Sequence, residues 1–198
     1  MKTTSTSRRT IGVLATSITV LGLVLGAAGR AGDRGVVTAA PAPVASVASV
    51  ASVPWATVTD PGSGASVRLA GPAQPGTMPV QGRLMLYKYV ASLPNDGGQQ
   101  RLNVTDLAAP VRDPEAMTKK IADQVGGTVI ASKPVTVNNY PGGDFRVTTD
   151  MGGRRVLVLG RVAYTPRHSV QVLTLALVEN ERDAVPLHEQ AVASLRIP

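Results

Sequence analysis

The chain has 198 residues, 43% of them hydrophobic, no cysteine and a formal charge of +7, which leaves room for one ordinary domain and an appendage. The missing cysteine excludes thiol catalysis, thiolate zinc sites, iron–sulfur clusters and lipid attachment through an N-terminal cysteine. The charge does not mark a nucleic-acid binder: Lys2, Arg8, Arg9, Arg30 and Arg34 against Asp33 supply +4 of it, while from Trp55 onward 15 basic residues meet 12 acidic ones, a balance of +3 that is ordinary for a soluble domain.

The first element is a leader. Lys2, Arg8 and Arg9 precede an uncharged apolar stretch from Ile11 to Gly29 that ends in small residues, the order of a secretory signal with cleavage expected before Gly29. The same stretch is also nearly long enough to span a bilayer as an uncleaved anchor, although Thr16, Ser17 and Thr19 weaken that reading. Either way the rest of the chain is placed outside the cytoplasm, because the basic residues stay inside. Ser7-Arg8-Arg9-Thr10-Ile11 resembles a twin-arginine signal, and paired arginines that merely supply leader charge are the plainer account. Residues 30–54 follow, with Pro41, Pro43, Pro54 and three copies of Ala-Ser-Val from Ala45 to Val53. Such a repeat buries too little surface to offset its ordering entropy and reads as a flexible linker.

All six aromatic residues lie between Trp55 and Tyr164, so a single folded domain is expected over 55–198. Short apolar runs separated by Gly, Pro and Asp clusters predict strands at 55–59, 65–70, 82–91, 101–107, 128–137, 142–150, 154–164 and 169–178. The last three are joined by connections too short for a parallel crossover, which makes an antiparallel meander. Leu173, Leu175 and Leu177 point one way and Val170, Val172 and Ala176 the other. A strand apolar on both sides belongs in the middle of a sheet covered on both faces.

Two helices are available as covers. Asp113-Pro114-Glu115 starts one, with Met117, Ile121 and Val125 as its stripe and Gly126-Gly127 as its stop. The other runs from about Asp183 to Ser194, with Leu187, Ala191 and Leu195 on one side and Pro186 in its first turn. The fold class is therefore α+β: a mainly antiparallel sheet with a C-terminal meander, covered by two principal helices as an α/β/α sandwich.

Particular residues carry a resemblance. Trp55 before Asp60-Pro61-Gly62 and the Ser66 to Leu69 strand, the run Tyr140-Pro141-Gly142-Gly143-Asp144-Phe145, then Arg161-Val162-Ala163-Tyr164 and the closing Ala193-Ser194-Leu195-Arg196-Ile197 resemble the PsbP-like α/β/α sandwich family, including small exported lipoproteins of the Lpq type. The resemblance implies a scaffold used mostly for docking onto other proteins, without a shared catalytic site. The chain departs from the lipoproteins in having no cysteine for a lipid anchor.

Chemistry is sparse. His188-Glu189 lacks the second histidine of a zinc protease, and His188 is expected on the surface; His168 follows Arg167 at an expected hairpin tip. No serine sits in a Gly-x-Ser-x-Gly elbow, and Pro61-Gly62-Ser63-Gly64 reads as a turn. The Gly-Gly pairs beginning at 97, 126, 142 and 152 lack phosphate-loop spacing and read as turn residues. Asp106, Asp113, Asp144, Asp150 and Glu179 could supply paired carboxylates, but sequence sets no separation between them. Arg154, Arg155, Arg161 and Arg167, with His168, lie along the meander and read either as a partner-binding basic patch or as solvated hairpin ends. No catalytic, cofactor-binding or metal-binding residue is assigned. The leading expectation is an exported, non-enzymatic envelope or secreted domain that docks a protein partner, with no nucleic acid and with membrane contact only through an uncleaved N-terminal segment. A module for a small apolar or anionic ligand held between sheet and helix is the alternative, and a hydrolase with an unrecognised site is the third reading.

Overall fold

The computed structural model describes residues 53–80, 83–94 and 97–198. The expected leader at 1–29 and all but the last two residues of the expected linker at 30–54 lie outside the described residues. Nine strands and two helices follow in the order β1 (Trp55–Thr59), β2 (Ser66–Ala70), β3 (Ala73–Pro79), β4 (Met85–Ser92), β5 (Gln99–Asp106), α1 (Pro114–Gln124), β6 (Thr128–Val137), β7 (Tyr140–Met151), β8 (Arg154–Tyr164), β9 (His168–Leu177) and α2 (Glu181–Ser194). A 3-10 turn, Val178–Asn180, leads into α2.

Strands β3 to β9 form one antiparallel sheet in the order β3-β4-β5-β9-β8-β7-β6, and β1 and β2 pair as a separate hairpin. Two meanders are thus joined by one long crossing: after β5 the chain passes through α1 and enters at the far edge as β6. The turns that close the second meander need backbone in the left-handed region. Asn138 and Asn139 supply it between β6 and β7, with φ of 47° and 69°, and Gly152 and Gly153 supply it between β7 and β8, with φ of 60° and 77°.

Covers lie on both faces. On one side α1 packs against β6 and β7, and its Ile121 and Ala122 join Phe145, Val147, Val156, Val158, Leu173 and Leu175 in a buried cluster. On the other, α2 packs against β9 and β8 while also touching β2, and Ala191 and Leu195 meet Val67, Leu69, Leu102, Val104, Val170 and Val172. Buried Gln100 ties this second layer together, accepting from the Ala70 N–H at 2.8 Å and donating to the Leu187 carbonyl at 2.9 Å. The expected α+β sandwich and its C-terminal meander are the observed architecture.

Three expectations are corrected. Strand β3, Ala-Gln-Pro-Gly-Thr-Met-Pro, was not expected, because two prolines and a glycine read as a loop; it is tolerated because it is an edge strand, where a missing N–H costs no ladder bond on the outer side. Gly142 and Gly143 are not turn residues but lie inside β7. A Cβ at Gly143 would stand 2.5 Å from Thr118 of α1, so glycine there lets the helix settle on the sheet. Pro186 is in the second turn of α2 rather than its first, because the helix begins two residues earlier than expected, at Glu181.

Candidate functional site

Most of the sheet interior is apolar, as burial demands, and the largest group of exceptions is a square of polar side chains on the α1 side. Register pairs Asn103 of β5 with Gln171 of β9, and Thr105 with Ser169. Paired residues of an antiparallel ladder share a face, so the four stand two by two at the centre of the sheet. All are buried, none more than 7% exposed. Met117, Lys120, Ile121 and Gln124 of α1 roof them, Leu86, Val80 and Leu107 form an apolar wall, and a cavity of ≈ 40 Å³ lies between.

The hydrogen bonds within this slot are incomplete. Gln171 donates from Nε2 to Ser169 Oγ at 3.3 Å, and its Oε1 is buried with no partner. Tyr164 reaches the slot from β8, where its hydroxyl lies 3.3 Å from Thr118 Oγ1. Burial pushes the Tyr164 hydroxyl up to about 12, the Thr118 contact opposing the rise, so it is a neutral donor or acceptor at physiological pH.

Cations border the square. Lys88 of β4 pairs in register with Asn103 and lies across Gly76 of β3, where an added Cβ would be 2.9 Å from its Cε. Arg101 precedes Asn103 on the same side of β5; its Nε is buried without a partner, and burial lowers the guanidinium from its ordinary value. Among the described residues Lys88, Arg101 and Lys120 form no ion pair, and the α1-side positions of β3, β4 and β5 carry no carboxylate. Helix α1 packs over β6 and β7 and meets β4 at Leu86, across the cavity.

The opposite face has a groove of ≈ 390 Å³ between α2 and β6 to β8. Arg161 grips Asp144 through two hydrogen bonds, at 2.5 and 2.7 Å, Lys133 adds a contact at 3.7 Å, and Arg146 pairs with Glu181 at 2.5 Å. His188 borders this groove and is not the surface residue expected. It is packed between α2 and the sheet with Nδ1 3.0 Å from Thr174 Oγ1. Burial pulls it down to about 4, Asp144 opposing and Arg161 reinforcing the fall.

The five residues read either as a basic patch or as solvated hairpin ends are not gathered at one place. Arg154 pairs with Glu179 at 3.1 Å at the β7–β8 end, where Arg155 is also exposed. Arg161 is spent on Asp144 in mid-strand. Arg167 and His168 sit at the β8–β9 turn, the far end of β8, roughly 33 Å away at strand rise, with His168 Nε2 3.8 Å from Asp106 Oδ1. Ser169 follows His168 on the strand and therefore points to the opposite face. Among the described residues no group of three or more His, Asp or Glu is arranged to hold a metal ion, and no helix is long and apolar enough to cross a membrane. Sequence reasoning singles out neither Gln171 nor Ser169, and does not join Asn103 to them. The signal was present: polar side chains at inward positions of strands otherwise filled with Val and Leu.

No protein-family model and no curated protein matches the chain. Solved structures do. Cyanobacterial PsbP from Synechocystis is similar at 10% identity, with a TM-score of 0.51 over 79% of this chain and 100% of that one. LpqN of Mycobacterium tuberculosis, a protein involved in cell envelope biogenesis, shows 14% identity and a TM-score of 0.47 over 73% of this chain and 91% of that one. A protein from Bacteroides thetaiotaomicron shows 12% identity and 0.46 over 72% of this chain, which spans only 48% of that longer structure. The fold is PsbP-like.

Proposed function

We propose that the chain is an exported, non-enzymatic envelope domain that docks an acidic protein partner on the α1 side of β3 and β4. Export rests on the basic and apolar order of residues 2–29. Docking rests on one observation: Lys88 and Lys120 border the α1 side of β3 and β4, which carries no carboxylate, while α1 packs over β6 and β7 instead. Unpaired cations on a broad, partly apolar face favour a partner of opposite potential. Both sheet edges are poor alternatives. Pro75 and Pro79 interrupt β3, and Pro134 with a bulge between Val129 and Ala131 interrupts β6, devices that discourage strand addition. The hairpin-end residues Arg154, Arg155, Arg167 and His168 are the second place a partner would touch.

A photo-crosslinking residue at position 88 of the full chain, expressed in its own envelope, tests this. A discrete protein adduct that fades as salt rises is expected. Adducts from position 155 or 167 and none from 88 would move docking to the hairpin ends, and adducts from none of the three would end the reading.

A further inference from the structure

The slot beneath α1 does not depend on a docked partner, and its chemistry is specific. We propose that it is a binding site for a carboxamide group, held by Gln171 and Asn103 on its floor with Ser169 and Thr105 beside them. The central strands set its position. On the α1 side β9 reads Ser169, Gln171, Leu173, Leu175, Leu177, and β5 reads Arg101, Asn103, Thr105. On that side of β9 the polar side chains that cost free energy to desolvate, Ser169 and Gln171, are confined to the positions that line the cavity, and Asn103 and Thr105 of β5 line it beside them. Structural burial alone would favour the leucines found farther along β9 at 173, 175 and 177.

Gln171 decides the ligand class. It is 4% exposed, it lines the cavity, and its Oε1 has no partner, a state that costs the full desolvation of the group until a donor arrives. Turning the amide over exchanges which end is unmet and still leaves one end unmet. A carboxamide, which carries both an N–H donor and a carbonyl acceptor, completes the pair in either orientation. An anion brings no donor to Oε1, and Lys120 on α1 is the one cation among the lining residues. A cavity of ≈ 40 Å³ exceeds the roughly 10–15 Å³ that one water requires on this measure and suits a group of a few heavy atoms, with an aliphatic tail against Leu86, Val80 and Leu107.

The probes are propionamide, propionate and a blocked tripeptide with glutamine at its centre, titrated into the full chain while the side-chain amide resonances of Asn103 and Gln171 are followed by NMR. Propionamide is expected to shift both, and propionate neither. Tighter binding of the peptide by about tenfold would assign the slot to a glutamine side chain of another protein, and equal or weaker binding to a free small amide. Gln171→Leu is expected to weaken propionamide binding about tenfold or more while keeping or raising the thermal midpoint, because it also removes an unmet buried polar group. Met117→Trp fills the mouth from α1 and is expected to abolish the response if the leucine variant does not fold. No amide shift in the native chain, as when the slot holds only water, an equal response to propionate, or unchanged binding in both variants would each overturn the assignment.

Discussion

His188 shows how a single side chain can be misplaced by reading its type alone. Histidine beside glutamate on a terminal helix suggests a wet surface, yet Ala184, His188, Ala191 and Leu195 fall at helical spacing on one stripe, and that stripe faces the sheet. Burial then holds the ring neutral down to about 4 in the folded chain, against 6.5 for the ordinary group. The unfolded chain therefore takes up a proton that the folded chain refuses, so this contribution to stability is complete above 6.5 and is lost as pH falls from there through about 4. Urea unfolding at a series of pH values is expected to show a shallower loss across that window in His188→Asn than in the native chain. A parallel decline in both would mean that the ring is already protonated when folded. Gln171 was overlooked for the opposite reason. A strand of Val and Leu announces a central position so strongly that one amide within it passes as noise, and only the register with Asn103 turns it into part of a site.

Elements were legible wherever local chemistry and tertiary context agreed. Helix α1 begins where Asp113 accepts the Ala116 N–H at 2.9 Å, with Pro114 in its first turn and Gly126 at φ 75° after its end, all of it visible in the letters. Strand β3 was illegible because its identity comes from β4, which pairs with it residue by residue from Ala73 to Pro79, and not from any propensity of its own. Its prolines have a consequence for the molecule's behaviour. Replacing Pro75 and Pro79 with valine restores two N–H donors to an exposed edge, and sedimentation is expected to show self-association in that variant at concentrations where the native chain is monodisperse. If the variant sediments like the native chain, the prolines are not what closes the edge.

At the scale of the whole molecule the two ends of the described chain brace each other. Ser66 of β2 exchanges backbone hydrogen bonds with Arg196 at 2.9 and 2.8 Å, Ile197 donates to Asn138 Oδ1 at 3.2 Å, and the Tyr140 hydroxyl donates to the Pro198 carbonyl at 2.9 Å. Leu195 and Ile197 are buried beside Ala65 and Val67. Deleting 195–198 removes two core side chains, each worth about 2–5 kcal/mol, out of a total that for such domains is about 5–15 kcal/mol. Denaturant unfolding of the deleted chain is expected to show at least about 4 kcal/mol lost, and a loss under about 1 kcal/mol would mean that the tail is a passive strap.

What the sequence by itself determined were the properties carried by short stretches: eight of nine strands, both helices, and an antiparallel C-terminal meander forced by its short connections. What only tertiary structure decided was adjacency. The crossing through α1 seats β9 beside β5 rather than at an edge, and that one pairing brings Asn103 to Gln171 and Thr105 to Ser169 from positions more than sixty residues apart. Hydrophobic spacing reports which face of an element is buried, but two strands meet only when the whole chain minimises its exposed apolar surface at once, and no local pattern records that outcome.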